Sequence, residues 1–198
     1  MTISLTLDQL QAMCATPAGR NRAITFLQPI NEAFADPKWG ITTARRAAYF
    51  LAQCLHECGE FRYMSELADG KAYDNRKDLG NTRPEALAIA KGAGTTPGPM
   101  WKGHGLIQIT GYDNHLDASM AIFGDNRAVR EPALLTQPKY AVLASLWFWV
   151  TNGLNDLADA DLFTKVTKRI NGGTNGLDDR LMYLKRCNDV FRSITEAK

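Results

Sequence analysis

This sequence predicts a mainly α protein, a multi-helix domain with one small β element and one loop-rich wall. Apolar residues recur at helical spacing in most of its segments, and threonine and proline start signals precede several of them. Only Gly105-Leu-Ile-Gln-Ile-Thr110 alternates in the manner of a short strand or extended segment. Between Leu67 and Gly105, by contrast, glycine and proline crowd too closely for long regular elements.

The elements follow in order. Thr6 caps a short helix over 7–14. Thr16-Pro17 starts a second helix, with proline at its first position, and it runs toward Ala35. Pro29 lies inside it and is expected to kink or break it. A third helix starts after Thr42 or Thr43 and ends near residues 59–61, with Ala47, Phe50, Leu51, Cys54, Cys58 and Phe61 as its apolar stripe. One short helix over 84–91 interrupts the loop-rich stretch. Further helices are expected over about 114–123, 138–152, 161–170 and 176–193. There is no repeat and no low-complexity tail. The 198 residues are expected to form a single catalytic domain, with a loop-rich segment over about 67–105 and no separate binding domain.

A net charge of +2 is too small to argue for nucleic acid, and none is expected as a partner. Residues 1–8 have no basic start and no long apolar run, so no secretory signal is read there and synthesis in the cytoplasm is expected. The longest apolar stretch, 140–150, is too short to span a bilayer, and stable membrane insertion is not expected. Trp147, Phe148 and Trp149 in it read as core. Cys14, Cys54, Cys58 and Cys187 are scattered and read as reduced core residues.

Glu57 is the most informative residue. It falls among the apolar positions of the third helix, where a carboxylate is costly unless it has a partner or a job. Desolvation favours the protonated form, which is what a general acid near neutral pH needs. Glu66 follows nine residues later, beyond the helix end. Two carboxylates flanking a cleft point to glycoside hydrolysis. The string His56-Glu57-Cys-Gly-Glu60 also resembles a broken zinc-peptidase motif, but its fifth position is glutamate rather than histidine. A Cys58–His56 nucleophile pair is disfavoured because residues two apart on a helix do not face each other. His104 and His115 read as loop and helix-surface residues. No metal and no cofactor are expected.

Four strings carry a family resemblance: His56-Glu57-Cys-Gly-Glu-Phe61 with Glu66, Tyr73-Asp-Asn-Arg-Lys-Asp-Leu-Gly-Asn81, Lys102-Gly-His-Gly-Leu-Ile-Gln-Ile-Thr-Gly-Tyr-Asp-Asn114, and Ile170-Asn-Gly-Gly-Thr-Asn-Gly176 with Asp179-Arg180. Together, from about Arg20 to Cys187, the chain resembles glycoside hydrolase family 19, the chitinase-like, lysozyme-related family, in its phage-endolysin form. The resemblance implies a lysozyme-like α+β fold with a substrate cleft. It implies Glu57 as general acid and Glu66 as general base of an inverting reaction, whose carboxyls stand roughly 6.5–9.5 Å apart around a water.

The resemblance also implies Gln108, Thr110, Asn114, Asn171 and Arg180 as cleft residues. The amides of Gln108 and Asn114 would meet N-acetyl and hydroxyl groups, and Tyr73 and Trp101 would stack on sugar faces. Arg180 would orient a carboxylate and help keep Glu66 ionised. The chain departs from the pattern in three places. Asn175 stands where plant members carry a glutamate, and Ala68 stands where some endolysins place a water-binding threonine, leaving Ser65 and Thr110 for that task. Asp74 replaces the glutamate of the usual Tyr-Glu-Gly-Arg stretch, and its role is left open.

The function so implied is hydrolysis of β-1,4 bonds in peptidoglycan glycan strands for host cell lysis. It would be performed by a monomer made in the host cytoplasm and released to the periplasm or wall by a holin-type system. A chitinase acting on N-acetylglucosamine polymers, an antibacterial wall-hydrolase effector and a non-catalytic wall-binding module are the rival readings.

Overall fold

A computed structural model describes residues 3–196 of the chain. In order its helices are α1 (Leu7–Met13), α2 (Pro17–Ala35), α3 (Ala44–Glu57), α4 (Pro84–Gly92), α5 (Pro97–Met100), α6 (Tyr112–Phe123), α7 (Arg127–Arg130), α8 (Pro138–Thr151), α9 (Leu154–Asp159), α10 (Phe163–Asn171) and α11 (Leu177–Glu196). Among the described residues the only β pairing is two isolated bridges, Ser65 with His104 and His104 with Ile109. The mainly α expectation therefore holds, but the predicted strand is a tight turn. Gln108 sits at φ 56°, in the left-handed region, and a strand cannot pass through that conformation.

The chain divides into two compact units. One contains the chain up to Arg62 and from Phe148 onward; the other is Tyr63–Trp147. Helix α8 begins in the second, and its last residues count with the first.

In the first unit α3 is the central element. Its N-cap is Thr43, whose hydroxyl accepts from the Arg46 N–H at 3.2 Å. Every residue from Ala47 to Leu55 is buried, so α3 carries more than the single apolar stripe read from sequence. A helix enclosed on all sides belongs to a core. Helix α11 packs along it, and α1 packs on both α2 and α11. The aromatic contacts are mostly edge-on, as ring quadrupoles favour: Phe50 meets Trp149 at 5.5 Å and 90°. Trp149 is fully buried, whereas Trp147 and Phe148, also expected in the core, are only partly buried. All four cysteines are buried and unpaired. Pro29 does not break α2, which runs through it as one element.

The exit of α3 is a strained turn. Glu60 (φ 55°) and Phe61 (φ 63°) are both left-handed without being glycine, at a cost of about 1–3 kcal/mol each. Their side chains offset it. Phe61 stacks on Phe26 with ring centroids 4.6 Å apart. The buried Glu60 carboxylate accepts from the Ala15 N–H, the Thr16 N–H and the Thr16 hydroxyl, at the start of α2. Arg22 donates to the Glu60 and Gly59 carbonyls at 2.8 and 3.2 Å. The turn that follows Glu57 is thus fastened to α2.

In the second unit Ala86, Ala90, Trp101, Tyr112 and Val129 form a core cluster, with Ile89, Met100 and Leu116 packed on it. The loop-rich segment is held by polar ties. Buried Asn81 donates to the Tyr73 carbonyl at 2.8 Å and accepts from the Tyr112 N–H at 2.8 Å, joining the 73–81 loop to the start of α6. Asp74 accepts from the Gly98 N–H at 2.8 Å, which gives it a structural role. No helix of the described residues is long and apolar enough to cross a membrane.

Glu60 yields a stability prediction. Burial alone would raise its pKa, but the bonds from Thr16, Ala15 and Tyr183 outweigh burial and hold it below the ordinary 4.5. A depressed folded-state value stabilises the protein above the unfolded value, and the contribution is lost as pH falls. Glu60→Ala is expected to cost about 3 kcal/mol in denaturant unfolding at pH 7. The gap to wild type should shrink as pH drops below about 4.5. An equal gap at pH 7 and pH 3 would contradict the charged clamp.

Candidate active site

Glu57 is the last residue of α3, and its partner comes from the far end of the sequence. The Arg180 guanidinium, on α11, donates to Glu57 Oε1 at 2.5 Å and to Gln53 Oε1 at 2.5 Å. Gln53 lies one turn before Glu57 on the buried α3 and donates onward to the Thr167 hydroxyl at 2.8 Å. Arg180 Nε reaches the Asn175 carbonyl at 3.2 Å. The side chain of Arg180 is 1% exposed and that of Glu57 19%. A cation enclosed in this way demands partners on every donor face, and it has them. Glu57 is therefore not a bare carboxylate on an apolar wall. It is a partly exposed carboxylate anchored by a buried cation.

The neighbouring His56 bonds through Nδ1 to Asp179 at 2.6 Å. Its ring lies against Gly176, where an added Cβ would come within 2.3 Å of the imidazole. Gly176 is also left-handed, at φ 69°. The Asn171 side chain donates to the Asn175 carbonyl at 3.4 Å, so it ties the turn between α10 and α11. That carbonyl is the one Arg180 uses, which links Asn171 to the seat of Glu57.

In the second unit Glu66 is held at three points. Its N–H donates to the Gly103 carbonyl at 2.8 Å, its Oε2 accepts from the Gly103 N–H at 3.0 Å, and its Oε1 accepts from the Tyr73 hydroxyl at 3.0 Å. Burial, then the bond to the Glu66 carboxylate, raises the Tyr73 phenol above its ordinary value. Along 101–110 only Lys102, Gln108 and Thr110 escape full burial. Gln108 donates to the Gly105 carbonyl at 2.7 Å and Thr110 to the Gln108 carbonyl at 3.0 Å. Asn114 donates to the Thr110 carbonyl at 2.8 Å. Gln108, Thr110 and Asn114 thus form one connected, half-buried group. Ser65, beside Glu66, is also half-buried.

Three expectations change. Trp101 presents no face to a sugar: it is fully buried, its indole N–H donates to the Val129 carbonyl at 3.0 Å, and its ring packs edge-on against Tyr112. Arg180 bonds Glu57 rather than serving Glu66. His104 and His115 are not surface residues but are 6% and 0% exposed. Sequence reasoning did not single out Gln53, Asp179 or Asn81 as site supports. The available signals were a glutamine one turn before Glu57 and the Asp78-Leu-Gly-Asn81 string. No group of three or more metal-binding side chains gathers among the described residues.

No protein-family model matches the sequence. A Haemophilus influenzae protein described as a glycosyl hydrolase family 19 domain-containing protein is 30% identical over 164 residues, 72% of this chain and 78% of its own length. An endochitinase of Arabidopsis thaliana is 32% identical over 143 residues, and the match spans 72% of this chain but only 44% of that protein. Among solved structures, chitinase C from Streptomyces griseus aligns with a TM-score of 0.68 at 20% identity, covering 93% of this chain and 91% of the other. A class IV chitinase from Zea mays aligns with a TM-score of 0.65 at 23% identity, covering 94% and 90%. At these identities the two structures establish the fold.

The contact between Gly176 and His56 is testable against a neighbour. Gly172 has the same left-handed backbone, at φ 74°, but open space where a Cβ would go. Gly172→Ala is expected to cost about 1 kcal/mol and Gly176→Ala about 2–4 kcal/mol by chemical denaturation. Equal losses at the two positions would contradict the contact.

Proposed function

Because the chain belongs to glycoside hydrolase family 19, we propose that it cleaves β-1,4 bonds in peptidoglycan glycan strands by inversion, with Glu57 as general acid and Glu66 as general base. It is a glycoside hydrolase related to chitinases; the substrate, the stereochemistry and the residue roles are the proposal. The observation that carries it is the contrast between the two carboxylates. Glu57 meets the Arg180 guanidinium through Oε1, and Oε2 is the oxygen proposed to deliver the proton to a glycosidic oxygen. Glu66 accepts on both oxygens, from Tyr73 and from Gly103. Two carboxyl groups in unlike surroundings are what an acid–base pair needs.

The mechanism follows from these roles. Glu57 protonates the leaving oxygen as the bond to the anomeric carbon breaks. Glu66 takes a proton from a water that attacks that carbon from the opposite face. Gln108, Thr110 and Asn114 bind acetamido and hydroxyl groups, and Thr110 or Ser65 helps hold the water. The reading includes action as a monomer. Peptidoglycan is preferred because the nine-residue interval between Glu57 and Glu66 is like that of endolysins and because the 30%-identical relative is bacterial. The reading includes synthesis in a host cytoplasm and release to the wall by a holin-type system. The likeness to plant endochitinases favours a second reading, turnover of chitin.

Glu57→Gln and Glu66→Gln should each lower turnover of purified sacculi by about 10²–10⁴-fold; Glu66→Gln should leave the melting transition near that of wild type, whereas Glu57→Gln should lower it because the buried Arg180 charge loses its counter-charge. A folded Glu57→Gln protein that still lyses walls would overturn the proposal. Parallel digests of sacculi and chitin oligomers separate the two substrates, and turnover of chitin alone would select the second reading. Mass spectrometry of the wall digest then shows which sugar carries the new reducing end.

A further inference from the structure

The second unit buries two histidines that the proposed reaction does not use. His104 and His115 meet through His104 Nδ1 and His115 Nε2 at 3.0 Å, with ring centroids 5.2 Å apart at 88°. His115 Nδ1 lies 2.8 Å from the Gly111 carbonyl, at the start of α6. A carbonyl only accepts, so His115 must carry its proton on Nδ1. In a neutral ring His115 Nε2 is then a lone pair, and His104 must donate to it from its own Nδ1. The contact has one direction, from His104 through His115 to Gly111.

The backbone of His104 lies at the centre of the Glu66 seat. Its N–H donates to the Ile109 carbonyl at 3.0 Å and its carbonyl accepts from the Ile109 N–H at 2.8 Å. On either side, Gly103 binds Glu66 by both its N–H and its carbonyl, and the Gly105 N–H donates to the Met64 carbonyl at 2.9 Å. The ring of His104 thus connects the strip carrying the Glu66 donor to the helix carrying Asn114.

We propose that His104 and His115 are positioning residues, a one-directional imidazole pair that holds the Gly103 N–H on the Glu66 carboxylate. The inference rests on Glu66 being the base. The titratable groups facing His104 are Lys102 and Glu66, and the one facing His115 is His104. Burial, then the Lys102 ammonium, lowers His104 to about 4 against weaker opposing effects of the Lys102 backbone and Glu66. Burial, then His104, lowers His115 to about 3. Both rings therefore stay neutral at the pH where a wall hydrolase works, and the direction of the pair is preserved.

His115→Leu removes the acceptor that His104 needs, whereas His115→Gln offers an amide oxygen near the place of Nε2. With Leu the Gly103 N–H drifts from Glu66. Because a carboxylate that loses a donor holds its proton more tightly, the acid limb of the kcat/KM profile should move up by about half a pH unit or more, and kcat should fall by about tenfold with KM within about twofold. His115→Gln should recover most of both. Nitrogen-15 NMR of wild-type imidazoles should find both rings protonated at Nδ1, and a His115 protonated at Nε2 would overturn the inference even if the variants fail to fold. An inactive Glu66→Gln beside an unchanged His115→Leu profile overturns this inference alone. An active Glu66→Gln overturns the base assignment and this inference with it.

Discussion

The buried guanidinium of Arg180 is the interaction on which the placement of Glu57, the proposed acid, depends. A cation with 1% of its side chain exposed is strongly unfavourable unless each of its nitrogens finds an acceptor. Here Glu57, Gln53 and the Asn175 carbonyl supply them. That requirement fixes the register of α11 on α3, because sliding one helix past the other would strand the charge. It also explains the polar Gln53 in a stretch of α3 that is otherwise apolar and buried. The His56–Asp179 bond and the close fit of Gly176 fasten the same join from the exposed side.

Glu66 is placed by another strategy. Backbone groups of Gly103 and the phenol of Tyr73 hold it, and these are held in turn by Asn81 and by the His104–His115 pair. Fixed dipoles position a carboxylate without neutralising it, which suits the proton-accepting role proposed for Glu66. Anchoring by a buried ion pair in one unit and by backbone donors in the other gives the two carboxylates distinct chemical characters.

Much of the fold was legible in local sequence because caps and periodicity are local. Thr6, Thr16 and Thr43 each accept the N-cap bond that their position implied. Helices α5, α7 and α9 escaped notice because four to six residues carry too little periodicity to register. In the site, the positions of Glu57 and Glu66 could be read, but their partners could not. Arg180 and Gln53 are separated by 127 residues, and no spacing rule connects them. Trp101 misled because an aromatic in a glycine-rich loop looks exposed, while its burial depends on Val129 and Tyr112 beyond the loop. His104 and His115 misled in the same way, each unremarkable alone and informative only as a pair.

The proposed mechanism requires two differently anchored carboxylates to drive a single displacement by water. Proton NMR of the first products from a β-linked oligosaccharide tests it most directly, because the anomeric signal of the new reducing end is read before mutarotation. Inversion predicts that the α anomer appears first and the β anomer grows in later. Initial release of the β anomer would mean retention, and it would contradict the roles assigned to Glu57 and Glu66.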